Sequence, residues 1–482
     1  MIAFLRRTHP KLLLCLLLIS SSFSASCAHN FADETSPAAS VGWKIKFGGS
    51  DSDPVIADGV LLYVGSADGA VYALDPTNGA TKWRFQTGEG LSSGPEVITM
   101  PKKGAGLDEM IAKTINPPRK GTRSVDLTPV VRDGTVFIGS GDFSFYALDA
   151  VTGKKKWSYE AGSKILRTAV FEGSTAYIIT EEGLHALNVA TGKRKWLFET
   201  LQEVPVHPLN PHRGAALGPV QGESTIFVAG SGWSTLREDA ALKSFLYAVA
   251  PESGTTRWVT TLAGGVSAAP VAARGLVFIG VGDPYARSST NFPDHKTLYA
   301  INEVDGQVRW KIGADIGWTS SQLLIVGNTI YFYTDRSLLA AELETGRRLW
   351  SFSADEIQGD LKADDQHLYA ITHKGSIARP KDTLHALALT TGQEKWSIEL
   401  RGGLQMVHEG VVYAGWKDLY AIDAATGKKL WLWSSFKGPG RHSEPVISEG
   451  RIFLTSPTVD YFGTSRVEQG YLYAIDAKTG KP

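Results

Sequence analysis

Few residues of this 482-residue chain combine the types and spacing that chemistry requires. Its two cysteines, Cys15 and Cys27, both lie near the N-terminus, which excludes cysteine chemistry from the rest of the chain. His207 and His212 lie close together, but prolines within that segment prevent a helical pair of metal ligands, and a loop with exposed imidazoles is favoured. The sequence contains no serine nucleophile elbow, phosphate-binding glycine loop or EF-hand series. The scarcity of such motifs favours a structural role over a catalytic one.

Cys27 has a chemistry of its own, because it follows an export signal. Basic residues precede the apolar run 12–19, which is too short to span a membrane, and small residues then lead to Cys27. We therefore predict a secretory signal peptide over 1–26. The segment before Cys27 resembles a bacterial lipobox, in which the Cys is lipidated, although Ser24 stands where Leu is usual. We favour lipidation over simple cleavage, since a lone exported Cys needs an explanation.

A repeated segment defines the remainder of the chain. Tyr-Ala-Leu-Asp, a few residues, Thr-Gly, three residues and Trp recur with modest variation, and a last copy stops after Gly480. Such a fixed period is typical of a solenoid or a propeller. A large ring with one N–H donor at the same point of each unit suits packing between neighbouring sheets, so we interpret these Trp residues as structural. The complete copies end at Trp83, Trp157, Trp196, Trp258, Trp310, Trp350, Trp396 and Trp431.

Each repeat is predicted to form four short strands. Upstream of Tyr72 lies the apolar, β-branched run 60–64, entered through Asp-Gly and left through Gly-Ser, and similar runs recur at 135–138 and 411–413. The turn 149–153 combines Asp, Thr and Gly, which suits a tight connection. Four strands per unit make a propeller blade, so the predicted fold is an all-β propeller of eight or nine blades.

The two ends of the repeat region predict how the ring closes. The final unit lacks its outer strand, whereas Trp43 lies in a strand that no unit precedes. Pairing the Trp43 strand with the C-terminal blade would complete that blade and remove open sheet edges. We therefore predict a signal peptide over 1–26, a polar tether over 27–42 and one propeller domain over 43–482. Lys plus Arg equals Asp plus Glu, 49 each, which gives no global field for nucleic acid.

The repeat, seen most clearly at 146–157 and 420–431, resembles that of pyrroloquinoline quinone (PQQ)-type propellers. This family contains quinoprotein dehydrogenases, which hold PQQ and calcium and oxidise alcohols or sugars. It also contains scaffolds such as the propeller lipoprotein of the outer-membrane β-barrel assembly machinery. The resemblance implies a PQQ-like propeller, usually of eight blades, so a count of nine would depart from the family.

One long connection bears on the choice between the two classes. The segment 277–295 resembles the dehydrogenase segment that carries a calcium ligand and a catalytic base, and the match would give Asp283 the ligand position and Asp294 the base position. A carboxylate suits calcium, which prefers oxygen ligands. However, the family's usual residue at the first position is Asn, and the vicinal Cys-Cys pair that clamps PQQ in many such enzymes is missing. An ordinary turn and a solvated loop are the favoured interpretation of these residues.

The sequence therefore favours a non-catalytic binding scaffold without a cofactor, exported to the bacterial envelope. We expect it to be an outer-membrane lipoprotein facing the periplasm or the surface, or a soluble periplasmic protein, with envelope proteins as partners and no contact with the membrane beyond the lipid. Loops on a rigid ring are where binding commonly occurs, and the candidate loops are 101–121, 230–243 and 282–297. The alternative is a dehydrogenase that depends on PQQ and calcium.

Overall fold

The computed structural model gives an all-β chain whose described residues belong to the unit Val41–Pro482. The first strand, β1, is Trp43–Phe47. The residues that the structure describes are 42–47, 54–57, 60–88, 127–199, 217–221, 225–232, 243–266, 269–282, 297–313, 323–334, 337–354, 357–376, 379–434, 443–462 and 465–482.

The first four blades follow one another along the chain, each an antiparallel sheet whose strands lie in sequence order. Blade 1 contains β2 (Val55–Ala57), β3 (Leu61–Gly65), β4 (Ala70–Leu74) and β5 (Thr81–Gln86). Blade 2 contains β6 (Val130–Arg132), β7 (Thr135–Gly139), β8 (Ser144–Asp149) and β9 (Lys155–Glu160). Blade 3 contains β10 (Val170–Glu172), β11 (Thr175–Ile179), β12 (Gly183–Asn188) and β13 (Arg194–Glu199). Blade 4 contains β14 (Leu217–Gln221), β15 (Ile226–Gly232), β16 (Lys243–Val249) and β17 (Thr256–Ala263).

The next four blades repeat this order, and blade 5 has one additional short strand that pairs with β20. Blade 5 contains β18 (Gly265–Val266), β19 (Val271–Ala273), β20 (Leu276–Gly282), β21 (Thr297–Asn302) and β22 (Val308–Gly313). Blade 6 contains β23 (Leu324–Val326), β24 (Thr329–Tyr333), β25 (Ser337–Glu342) and β26 (Arg348–Ser353). Blade 7 contains β27 (Ile357–Ala363), β28 (His367–Ser376), β29 (Arg379–Ala388) and β30 (Glu394–Leu400). Blade 8 contains β31 (Gly403–His408), β32 (Val411–Gly415), β33 (Asp418–Asp423) and β34 (Lys429–Ser434).

Blade 9 joins the two ends of the propeller. Its sheet order is β1, β37, β36 and β35, so the N-terminal strand supplies the outer position. Trp43 pairs with Ala474 and Phe47 pairs with Gly470 in antiparallel register. The predicted closure is confirmed, and the described residues form nine blades rather than the eight usual in the family. The three C-terminal strands are β35 (Val446–Ser448), β36 (Arg451–Phe462) and β37 (Ser465–Asp476).

The repeated Trp side chains connect every blade to the next one around the ring. Each indole N–H donates a hydrogen bond to a backbone carbonyl in the following blade, at 2.8 to 3.0 Å. Trp43 of blade 9 donates to Pro76 of blade 1, which closes the circle. The other pairs are Trp83 with Ala150, Trp157 with Val189, Trp196 with Pro251, Trp258 with Glu303, Trp310 with Leu343, Trp350 with Leu389, Trp396 with Ala424 and Trp431 with Ala477.

The Gly of each Thr-Gly turn lies against the Trp ring of the preceding blade. Gly153 has a φ of +70°, which favours glycine, and a Cβ added there would lie 2.6 Å from Cδ2 of Trp83. Glycine is therefore required for two reasons, the backbone conformation and the close approach of the ring. The sequence pattern indicates the first reason only.

Hydrophobic side chains fill the spaces between neighbouring sheets rather than a single central core. One cluster joins Tyr63 and Trp83 of blade 1 to Val136 and Leu148 of blade 2. The first strands of neighbouring blades also contact each other, as β2 does with both β6 and β35. These contacts place the first strands around the axis of the propeller and the Trp strands at its outer edge.

Candidate functional site

The long connections of the propeller all leave from one face. Neighbouring strands of a blade are antiparallel, so the connections between second and third strands, and those between blades, open on the same side. We call this side the insertion face. The opposite side, the turn face, carries tight turns such as Asp133-Gly134 and the Thr-Gly turns such as that at Gly153. The strands that flank 101–121, 230–243 and 282–297 end on the insertion face.

The individual residues predicted to do chemistry lie outside the described part of the chain. These are Asp283 and Asp294, the proposed calcium ligand and base, and Cys27, the proposed lipidation site. Residues 101–121 also lie outside it, as does most of the other two predicted loops. Among the described residues, no helix is long and apolar enough to cross a membrane.

Among the described strand pairs, two hairpins extend further than the others at the insertion face. Strands β28 and β29 have 10 residues each, and their pairing continues to Ser376 and Arg379. Strands β36 and β37 have 12 residues each and pair as far as Phe462 and Ser465. The corresponding strand β7 of blade 2 has only five residues. At about 3.4 Å per residue, five additional residues extend a strand by about 17 Å.

Asp382 ties the long hairpin of blade 7 to blade 8. This carboxylate is 2% exposed, and it accepts a hydrogen bond at 2.8 Å from the backbone N–H of Gly402, in the connection to blade 8. Its other oxygen lies 2.6 Å from Nδ1 of His373 on the facing strand, which donates when that nitrogen carries the proton. A buried carboxylate with two such partners fixes the position of the groups around it. The hairpin therefore rises from a rigid base.

An ion pair links the first strand of blade 7 to the segment just before the first strand of blade 9. The Lys362 ammonium in the first strand of blade 7 lies 2.9 Å from a Glu444 oxygen just before the first strand of blade 9. The carboxylate of Asp360, in an irregular part of the same strand, lies 3.9 Å from this ammonium. Burial raises the pKa of Asp360, Lys362 opposes this rise, and Glu444 adds to it. The pair joins two blades that are not neighbours in the ring.

Sequence reasoning missed Lys362, although a signal was present. Lys362 pairs with Tyr369 of the second strand. In other blades, the first-strand residue at the place of Lys362 is apolar. Aligning the first strands of the repeats would have shown the single Lys among apolar residues. The equivalent residues include Val130, Val170, Val271, Leu324 and Val446.

These carboxylates near the axis do not suit a calcium ion. The Lys362 ammonium already neutralises Glu444 and lies close to Asp360, so a second cation at these oxygens would be repelled. In the described part of the chain, no three side chains of His, Cys, Asp or Glu are grouped to share a metal ion.

Two histidines replace the repeat Tyr inside their blades. In blade 3, His185 is fully buried between the hydroxyls of Thr180, at 3.0 Å, and Tyr159, at 2.9 Å. Burial lowers the pKa of His185 to about 4, and the charge of Arg194 contributes to this shift. The ring is therefore neutral at physiological pH and acts as a hydrogen-bonding part of the core. In blade 7, His385 lies 2.6 Å from Glu394 instead.

Comparison with known proteins gives matches in both classes of PQQ-type propeller. The dehydrogenase subunit of the quinone-dependent alcohol dehydrogenase of Gluconacetobacter polyoxogenes is 32% identical over 149 residues, which are 27% of this chain and 19% of that protein. The assembly factor BamB of Yersinia pestis is 24% identical over 259 residues, which are 50% of this chain and 58% of that protein. The chain thus matches only a minor part of the dehydrogenase and little more than half of BamB.

A solved structure shows the same fold. The quinohemoprotein alcohol dehydrogenase of Comamonas testosteroni superimposes with a TM-score of 0.52 at 14% identity, over 75% of this chain and 76% of that one. A family model described as outer membrane protein assembly factor BamB matches residues 35–114, 116–235, 202–377 and 380–482. These matches extend over nearly the whole propeller. The chain belongs to this BamB-type family of PQQ-like propeller repeats.

Proposed function

We propose that this protein is a non-catalytic binding scaffold of the bacterial cell envelope that takes part in outer-membrane protein assembly. In this proposal the chain is exported by its N-terminal signal, with a lipid on Cys27 or as a soluble periplasmic protein. The family match over four segments supports the proposal. Relatives named as BamB in several bacteria also support it.

The placement of the long connections is the structural observation that carries the proposal. Strands flanking each predicted binding loop end on the insertion face, beside the long hairpins of blades 7 and 9. Buried hydrogen bonds of Asp382 hold one hairpin against the next blade. A rigid ring with extended elements on one side presents a large surface to protein partners.

A cross-linking experiment in a bacterial envelope tests this role. The exported chain would be compared with a variant lacking 101–121 and with one in which a tight turn replaces 374–381. A matched control is Val151→Ser, an exposed change on the turn face, where Val151 is 75% exposed. We expect the insertion-face variants to lose outer-membrane assembly proteins that the control retains. Recovery of the same partners by every variant would contradict the proposal.

A PQQ-dependent dehydrogenase is the second candidate, because quinoprotein alcohol dehydrogenases are among the relatives. Asp283 would then be a calcium ligand and Asp294 the base that takes a proton from the alcohol. The test is to add PQQ and Ca²⁺ to the purified chain and follow dye-linked oxidation of alcohols and sugars. Turnover that Asp294→Asn abolishes would overturn the scaffold proposal. Without turnover, and with partner loss in the insertion-face variants, the scaffold is retained.

A further inference from the structure

A cleft lies between blades 8 and 9 at the turn face, away from the connections discussed above. It has a volume of about 560 Å³, in the range of sites that hold a side chain or a small ligand. Its apolar lining includes Val411, Tyr413 and Leu430 of blade 8 and Ile447 of blade 9. This location is independent of the insertion face and of the role proposed for it.

Blades 2, 3 and 4 fill the equivalent position with a polar pair. In blade 2, the Lys156 ammonium donates to Oγ1 of Thr135 at 2.7 Å and to the carbonyl of Gly134 at 3.0 Å. In blade 3, Lys195 donates to Oγ1 of Thr175 at 2.6 Å. In blade 4, an Arg and a Thr make the same contact. The cation comes directly before the repeat Trp, and the Thr stands at or next to the start of the second strand.

In blade 8, both members of this pair are apolar. Leu430 precedes Trp431, and Val411 begins the second strand, so they occupy the places of Lys156 and Thr135. A register shift beside Ile422 leaves Leu430 outside the regular pairing, as a β-bulge does, and such bulges re-aim side chains. Leu430 is 50% exposed. The substitution of both partners converts a polar contact into an apolar wall of the cleft.

The rim of the cleft carries negative charge at two hairpin turns. Glu409 and Glu449 each occupy the positive-φ position of a turn, at +44° and +48°, and both line the cleft. The side chain of Glu409 is 86% exposed. Lys478 also lines the cleft, so the formal charge of these three groups is −1. The combination of an apolar wall and an acidic rim suits a ligand with an apolar body and a positive charge.

The neighbouring outer strand favours a polypeptide over a small cation. Strand β34 is the last strand in its sheet, so among the described strands none pairs with its outer edge. Its Leu430 and Leu432 are 50% and 48% exposed, and most outer strands carry Lys or Arg where Leu430 stands, directly before the Trp. Charged residues on an edge strand discourage pairing, and their replacement by Leu permits it.

We propose that the cleft between blades 8 and 9 binds an extended segment of a partner polypeptide. An aromatic or aliphatic side chain of the segment lies against Leu430 and Val411, and a Lys or Arg side chain lies beside Glu409 and Glu449. The backbone of the segment follows the outer edge of β34.

The probe for this site is a fluorescent peptide of alternating Lys and Phe, titrated with the full exported chain and followed by anisotropy. The key variant is Val411→Thr/Leu430→Lys, which installs the polar pair that blade 2 already contains. We expect it to weaken binding by about tenfold or more, the effect of losing roughly 1.4 kcal/mol of apolar contact. The matched control is Leu349→Lys, because Leu349 is an exposed Leu directly before a repeat Trp, in blade 6.

Charge is tested separately with Glu409→Gln/Glu449→Gln. These changes are at exposed positions, so we expect the fold and thermal melting to be retained while binding weakens severalfold. Peptides that alternate Glu with Phe or Lys with Ser should bind at least about tenfold more weakly than the Lys-Phe probe. The proposal is overturned by any of three results: no binding of the Lys-Phe peptide, equal binding of the control peptides, or equal losses in Leu349→Lys and Val411→Thr/Leu430→Lys. Because these variants lie on the turn face, their outcome is separate from partner capture by the insertion face.

Discussion

The outer edge and the inner strands of the propeller differ in how closely they follow the repeat. At the outer edge, nine Trp side chains make the same hydrogen bond to the following blade, including the one that joins the chain ends. Near the axis, the same structural position holds an aliphatic residue in most blades but Lys362 in blade 7. The outer contact admits little variation because the Trp ring, a glycine and a carbonyl must all fit. The inner strand of blade 7 admits a charge because Glu444 is within reach of Lys362.

The strongest test of the outer contacts is removal of the closing strand. A chain that begins at residue 48 lacks β1, and with it the Trp43 hydrogen bond and the packing of Ile45 beside Leu62 and Phe453. We expect the free energy of unfolding to fall by at least about 5 kcal/mol, because buried aromatic and aliphatic side chains are lost together. The midpoint of thermal unfolding should fall by about 5 °C or more.

The matched control for this truncation is a chain that begins at residue 41. Both proteins lack the N-terminal signal, and they differ only in β1 and its immediate flanks. The truncated blade would also expose the edge of β37, so the shorter chain should associate at high concentration. Equal melting temperatures for the two chains would show that the pairing of β1 contributes little to the closed ring.

A second test compares two glycines that both have positive φ. Gly153 lies on the Trp83 ring, whereas a Cβ at Gly134, with φ of +64°, would meet nothing within 4 Å. Gly134→Ala should lower the free energy of unfolding by about 1 kcal/mol, through backbone strain alone. Gly153→Ala adds a clash with the indole, for a total of about 3 to 4 kcal/mol. Chemical denaturation measures both values, and equal costs would show that the ring tolerates a Cβ at this distance.

The ring and its closure could be predicted from the sequence, because the contacts that build them are repeated. Every copy supplies the same Trp and the same Thr-Gly turn, so one physical interpretation applies to all blades. The sequence predicts eight or nine blades, since nine units can be counted and the family usually has eight. The bond from Trp43 to Pro76 settles the arrangement at nine among the described blades, because it links the last to the first.

The inner contacts were harder to predict, because they depend on the closed ring. Lys362 and Glu444 are far apart along the chain and lie in blades that no local pattern brings together. The buried role of Asp382 likewise depends on the connection into the next blade. By contrast, an alignment of the repeats by their Trp residues is enough to show the Leu430 and Val411 substitutions, because both residues lie at fixed places in the repeat. Asp283 and Asp294 stay predictions.

His185 tests whether a departure from the repeat inside a blade affects stability. Its pKa is about 4 in the folded protein and about 6.5 when unfolded, so the unfolded state binds more protons between these values. Stability should therefore fall as the pH decreases from about 6.5 to 4, by about 2 to 3 kcal/mol in total. His185→Gln keeps a neutral hydrogen-bonding side chain and should remove this part of the pH dependence. Denaturant titrations at several pH values measure it, and identical pH profiles for both proteins would contradict the assignment.

The smallest effect is expected at the axis, where Lys362→Met restores an apolar residue like those of the other blades. Removal of the ammonium leaves Glu444 and the partly buried Asp360 without a shared cation. We expect a loss of about 1 kcal/mol at pH 7, since partly exposed ion pairs contribute little.

The pH dependence of this variant gives the decisive comparison. The pKa of Asp360 is already raised by burial, and loss of Lys362 raises it further. A carboxyl group whose pKa is higher in the folded state contributes stability below its unfolded pKa and loses it as the pH rises through the folded value. Lys362→Met should therefore destabilise the chain more at pH 7 than at pH 4. Adding Glu444→Gln should recover part of the loss at pH 7, because it removes a negative charge that acts on Asp360. A loss of several kcal/mol that does not change with pH would instead place Lys362 among the contacts that the ring requires, as the repeated Trp residues are.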